Sequence, residues 1–227
     1  MLQRISFLFL SVLMAASAFA QPDKPQPAKP GTPQVTFDLL WRAVDPQWYQ
    51  ISIDSAGRAS YQSQPRTQPN ETPGDPYMLK FTATAKVRDE VFQLTRDLNF
   101  FAEDLSYKGK EHIADTGAKT LSYTAEGRTT KSTFNWSPNP KAQELTTLFQ
   151  RMSNCFELGR QLDYALRFDK LGVDQKLKEL ETLQRADPLP GLQVLEPTLQ
   201  RILDDPETMN ISRQRANYLL FAAKSEK

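Results

Sequence analysis

NPKAQELTTLFQRMSNCFELGRQLDYALRFDKL, residues 139–171, decides the fold of this chain. Leu145, Leu148, Phe149, Met152, Cys155, Phe156, Gly159, Leu162 and Leu166 fall at the i, i+3, i+4, i+7 spacing of one helical face, and no proline follows Pro140 within the stretch. The spacing predicts a single long central helix, with Asn139 as its cap and Pro140 in its first turn. At about 1.5 Å per residue such a helix would run to about 50 Å, longer than one small sheet can cover. It must then serve two bodies. Residues 145–156 are expected on a sheet and residues 162–171 on C-terminal helices, with Gly159 near the handover because glycine in a helix needs a close approach or a kink to offset its cost. Cys155 sits on the same stripe, where burial as a small hydrophobe accounts for it.

Upstream of the helix the pattern is mainly of strands. Tyr49, Ile51 and Ile53 alternate, Asp54-Ser55-Ala56-Gly57 supplies turn chemistry, and residues 58–62 return, which makes a β-hairpin. Residues 77–82 give a third strand. Thr84 then caps a helix carrying Val87, Val91, Leu94, Leu98 and Phe101 on one face. Residues 120–125 and 128–136 flank Glu126-Gly127 as a second hairpin. Residues 35–44 hold six apolar side chains that fit neither period, so their type stays open. Residues 62–76 form a polar loop with four prolines, long for a compact domain.

Downstream, Val173, Leu177, Leu180 and Leu183 mark a helix. Residues 192–203 and 212–223 mark two more, with Pro197 tolerated at a helix start. The whole order implies an α+β fold: an antiparallel sheet of about five strands with helices on one face, followed by a C-terminal helical subdomain.

The first twenty residues carry one basic residue (Arg4), an apolar run too short to span a bilayer and a closing Ala18-Phe19-Ala20, the pattern of a secretory signal peptide cleaved after Ala20. Residues 21–34 form a Pro-rich linker. The expected division is therefore signal peptide 1–20, linker 21–34, α+β domain 35–158 and helical subdomain 159–227. The chain has 28 Lys and Arg against 27 Asp and Glu, and loss of Arg4 would leave them balanced, which argues against a nucleic acid or anionic membrane held by long-range charge. No transmembrane segment is expected after signal cleavage. One cysteine cannot form an internal disulfide, so stability must come from an ordinary core. The location implied is exported, periplasmic or secreted.

Tyr49-Gln50-Ile51-Ser52-Ile53, the turn at residues 54–57, the helix ending Asn99-Phe100-Phe101, Asp115 and the hairpin leading to Trp136 together resemble a domain of exported bacterial proteins of unknown function. The likeness covers residues 48–152. It implies the same α+β order and an envelope setting, and it carries over no catalytic residues.

Two sets of side chains could bear function. Asp115-Thr116-Gly117 resembles the active-site turn of aspartic proteases, which would need a homodimer to supply a second carboxylate. The residues before it are not an apolar strand, and a solvated turn accounts for it. His112, the only histidine, lies in sequence near Asp104, Glu111 and Asp115, without the further ligands or nucleophile that metal or base chemistry would require. The second set is aromatic. Trp48, Tyr49, Tyr61, Tyr77 and Trp136, with Trp41, could line a glycan or peptide platform, although aromatics at strand ends usually fill cores. Asn70 and Asn210 sit in glycosylation-type triplets, which carry little weight in a bacterial chain. With no phosphate loop or dinucleotide fingerprint, no cofactor and no metal are expected. The reading is a non-catalytic module binding an envelope protein, peptide or other envelope component. The alternative is an aspartic-type hydrolase using Asp115.

Overall fold

A computed structural model describes residues 31–67 and 74–225. The expected signal peptide at 1–20, residues 21–30 of the expected linker and residues 68–73 of the polar loop, with Asn70, lie outside the described residues.

The fold is α+β. Strands β1 (Gln34–Leu40), β2 (Trp48–Asp54), β3 (Arg58–Gln64), β4 (Tyr77–Thr82), β5 (Ala118–Ala125) and β6 (Arg128–Phe134) form one antiparallel sheet in the order β4-β3-β2-β1-β5-β6. The sixth strand is β1, in the segment whose type the sequence left open. Val35, Phe37 and Leu39 do alternate inward, but Leu40 and Trp41 follow where β1 gives way to a turn, and those two adjacent apolar residues blur the period. β1 is one of the two central strands: Phe37 pairs with Ile51 on one side and Leu121 on the other. The first hairpin closes as its sequence predicts, with Asp54 Oδ1 accepting from the amides of Ala56 and Arg58 at 2.9 Å each.

Helices α1 (Ala85–Asp97) and α2 (Pro140–Phe168) pack on the inward face of the sheet. Thr84 caps α1 through its hydroxyl, which accepts from the Val87 amide, and Val87, Val91 and Leu94 are buried. The chain then passes through Asn99, Phe100 and Phe101 with φ of 48°, 55° and 60°, a left-handed turn that drives Phe101 into the core and leaves Phe100 outside against Tyr123.

Asn139 caps α2 as predicted, with Oδ1 accepting from the Lys141 amide at 2.9 Å. The helix stops at Phe168, three residues short of the sequence reading, because Asp169 ends it and its carboxylate accepts from the Gly172 amide that opens α3 (Gly172–Ala186). Leu171 is consequently 82% exposed rather than packed. After α3 come α4 (Glu196–Asp204), with Pro197 in its first turn, and α5 (Asn210–Ser225).

The 29 residues of α2 span about 44 Å at about 1.5 Å each, against about 24 Å for a six-stranded sheet at about 4.8 Å per strand. Two cores result. Ala142, Leu145, Leu148, Phe149, Met152 and Phe156 join the sheet core, where Phe149 stacks on Phe37 at 5.3 Å. Cys155, Leu158, Leu162 and Ala165 join the core made with α3, α4 and α5. The change of partner falls at residues 155–158, and Gly159 meets Leu195 from the turn before α4. A Cβ on Gly159 would lie 3.0 Å from two Leu195 side-chain carbons. Gly159→Val is therefore expected to lower stability by about 1–3 kcal/mol through overpacking. Gly159→Ala, which recovers about 1 kcal/mol of helix propensity, should change it far less. Urea unfolding of the two variants checks the difference, and equal losses would remove Leu195 as the cause.

Among the described residues, no helix is long and apolar enough to cross a membrane.

Candidate functional site

One end of the sheet carries a cleft of about 330 Å³. Four segments build it. Trp41 follows β1, and its amide donates to Gln47 O at 2.8 Å, which fixes the turn that carries it. Asn135, Trp136 and Ser137 follow β6, and α2 contributes Gln143, Thr146, Thr147 and Gln150 at i, i+3, i+4 and i+7, a single face of the helix. Trp136 is 37% exposed and is held from behind by Tyr107, edge to face at 5.4 Å.

The floor of the cleft includes the turn that resembles a protease motif. Asp115 Oδ1 accepts from the Gly117 amide at 2.9 Å. The Thr116 amide donates to Asn135 Oδ1 at 2.7 Å, and the Thr116 hydroxyl donates to Asn135 O at 3.1 Å. Gly117 has φ +85°, and a Cβ there would lie 2.5 Å from Trp41 Cβ and 3.0 Å from Leu40 O. In this fold the Asp-Thr-Gly residues thus make a turn on which Trp41 rests. Gly117→Ala is expected to cost about 1–2 kcal/mol for the left-handed backbone alone, more once Trp41 is pushed aside. A lowered unfolding midpoint together with a shifted indole emission is the expected signature.

Lys119, on β5, lies under the same turn and is buried. Its ammonium donates to Asn135 O at 2.7 Å, to Thr116 O and Oγ1 at 2.9 Å each and to Gly117 O at 3.3 Å. Burial pulls its pKa below the ordinary lysine value, and the nearby Asp115 charge works the other way. Asp115 itself is exposed, as is His112. Asp104, Glu111, Asp115 and His112 do not gather into a metal site: among the described residues no group of three or more His, Cys, Asp or Glu could hold an ion.

The five aromatic residues singled out in the sequence fall in three places. Trp136 lines the cleft. Trp48 lies on the outer face of the sheet, where its Nε1 donates to Asp38 Oδ2 at 2.8 Å. Tyr49 and Tyr61 point into the core, and Tyr77 packs at its edge, 6.0 Å from the Tyr61 ring. Trp41 lines the same cleft from the end of β1, and α2's polar row is the part no sequence signal marked.

Tyr61 belongs to a buried polar knot between β3 and α2. Its hydroxyl donates to Glu157 Oε1 at 2.8 Å and lies 3.0 Å from Ser153 Oγ, Ser63 Oγ donates to the same Oε1 at 2.6 Å, and Arg160 Nε donates to Glu157 Oε2 at 2.7 Å. Burial pushes the Tyr49 and Tyr61 phenols well above the usual tyrosine range, and the Glu157 charge adds to the effect at Tyr61. Unfolded, both would titrate near pH 10. Above that pH the unfolded chain binds fewer protons than the folded one, so stability that is complete below about pH 10 falls as pH rises further. Unfolding midpoints followed from about pH 8 to 11 should show that fall, with a shallower slope in Tyr61→Phe.

A second, larger cleft of about 610 Å³ lies across α2 between Thr84, Pro140 and Pro188. Three of its charged residues are already committed: Glu144 pairs with Lys141 at 3.2 Å, and Arg151 pairs with Asp187, to whose backbone oxygen it also donates at 2.8 Å. Gln143 and Thr147 line both clefts, so the two flank the same exposed stretch of α2. No family model matches the chain, and no curated protein matches it.

Proposed function

We propose that the chain is an exported, non-catalytic binding module of the bacterial envelope that holds its ligand in the cleft between Trp41 and Trp136. One observation carries the reading: two indoles and a helical row of neutral side chains with hydrogen-bonding capacity to spare line one cleft. Gln143 spends its Nε2 on Ser137 O at 2.8 Å and keeps its carbonyl oxygen, while Thr147 and Gln150 make no side-chain hydrogen bond among the described residues. An aromatic wall with a few convergent polar groups is the common form of a ligand site. Export rests on the signal-peptide pattern of residues 1–20.

The test compares the full chain with Trp41→Ala and Trp136→Ala on immobilised supports exposed to envelope extract. A component retained by the native chain and lost from both variants is the expected result, and equal retention by all three would place the ligand elsewhere. The alternative, an aspartic-type hydrolase acting as a homodimer through Asp115, predicts cleavage of a peptide library that Asp115→Ala abolishes. Such cleavage would overturn the non-catalytic reading.

A further inference from the structure

We infer that the ligand class of this cleft is a neutral saccharide chain, with one pyranose ring held against Trp41 and Trp136 and the neighbouring unit passing over α2. The inference rests on the reading that the cleft is the binding site, and the charge of the lining narrows the chemistry first. Lys119 is the only ionisable side chain among the described residues that line it, and its three protons are spent on oxygens of Thr116, Gly117 and Asn135. A phosphate or carboxylate would find no uncommitted cation there. A cationic ligand would find no carboxylate and would face the Lys119 charge.

The polar groups that are uncommitted are hydroxyls and amides. Thr147 and Gln150 can each donate and accept, and Gln143 keeps an acceptor. Thr146 also lines the cleft, but its hydroxyl oxygen is closed off from the surface, so the groups that face a ligand are those of Gln143, Thr147 and Gln150. Sugar hydroxyls donate and accept in the same two-way manner, whereas a peptide backbone offers one-way N–H and C=O groups that a sheet edge serves better. The C–H face of a pyranose supplies the apolar surface that an indole takes.

Size and continuity argue for a chain rather than a single sugar. At about 330 Å³ the cleft is near the lower limit for a small-molecule site. Gln143 and Thr147 carry its wall into the cleft of about 610 Å³ beyond. The competing occupant is a proline-rich peptide, which also seeks aromatic grooves.

The experiment titrates the purified chain with cellotetraose, maltotetraose and the tetramer of N-acetylglucosamine, and separately with a proline-rich dodecapeptide, by calorimetry and indole fluorescence. At least one tetrasaccharide is expected to bind, about tenfold more tightly than its monosaccharide, and to lose about tenfold or more in both Trp136→Ala and Gln150→Ala. Trp48→Ala, on the outer face, should bind as the native chain does. Gln150 is half-buried and uncommitted, so its variant remains informative if Trp136→Ala fails to fold. Peptide binding that needs Trp136, with no tetrasaccharide bound at millimolar concentration, would overturn the saccharide and leave the cleft standing. Binding of neither probe would overturn both.

Discussion

Glu157→Ala is expected to lower the stability of the fold by about 3 kcal/mol, the low end of the cost of removing one partner of a buried charged network. The reason lies in what remains behind. Glu157 is 5% exposed, and its two oxygens take the hydroxyls of Tyr61 and Ser63 and the guanidinium of Arg160. Alanine leaves the Ser63 hydroxyl buried with no acceptor from α2, and Tyr61 with only Ser153. Each unsatisfied hydroxyl costs about 1–3 kcal/mol. Arg160 is 41% exposed and can turn to water, which is why the low end applies. Glu157→Gln should lose less, because the amide still accepts through one oxygen. The decisive comparison is the triple variant Glu157→Leu, Tyr61→Phe, Ser63→Ala. Removing the carboxylate together with the two buried hydroxyls that donate to it should recover most of the loss in urea unfolding, since Arg160 can turn to water. If the triple variant is no more stable than Glu157→Ala, the knot is not what holds β3 to α2.

Much of the fold was legible because local pattern and tertiary packing agree. Asn139 and Thr84 cap the helices that their neighbours predict, and both hairpins form around their Gly-containing turns. Glu157 was not legible. Residues 155–159 are buried in succession because α2 is enclosed there by the sheet core and the C-terminal core at once. A helix enclosed on all sides has no polar face for periodicity to find, so a lone glutamate reads as the solvent side. Its partners Tyr61 and Ser63 lie 96 and 94 residues away in sequence, which no local pattern reports.

The candidate site shows the same limit from the other direction. Trp41 and Trp136 stood out as aromatics, but their sharing one cleft depends on β1 lying beside β5, a contact set by the long crossover through α1. Gln143, Thr147 and Gln150 lie off the apolar stripe of α2 and look like ordinary solvated positions until two indoles face them. Asp115-Thr116-Gly117 has a packing explanation as well: Gly117 leaves room for Trp41, and Thr116 ties the turn to Asn135. Steric demand from a tryptophan 76 positions earlier in the sequence is invisible in the motif itself.

Phe156→Ala should cost about 3–5 kcal/mol, and its interaction with Gly191 should reveal how the two cores are joined. Phe156 is almost fully buried, with ring centroids 5.2 Å from Tyr61 and 4.9 Å from Phe81, so it belongs to the sheet core. Its ring also touches the turn that leads into α4: a Cβ on Gly191 would lie 2.7 Å from a Phe156 ring carbon. Gly191→Ala in the native chain therefore carries two penalties, the left-handed backbone at φ +89° and the collision with the ring. Combined with Phe156→Ala the collision disappears, and only the backbone cost of about 1–2 kcal/mol should remain. The double-mutant cycle is expected to show a coupling of about 1–2 kcal/mol between the two positions. The sign matters: the second substitution must cost less in the presence of the first. Strict additivity would mean that the ring does not limit the approach of the C-terminal helices.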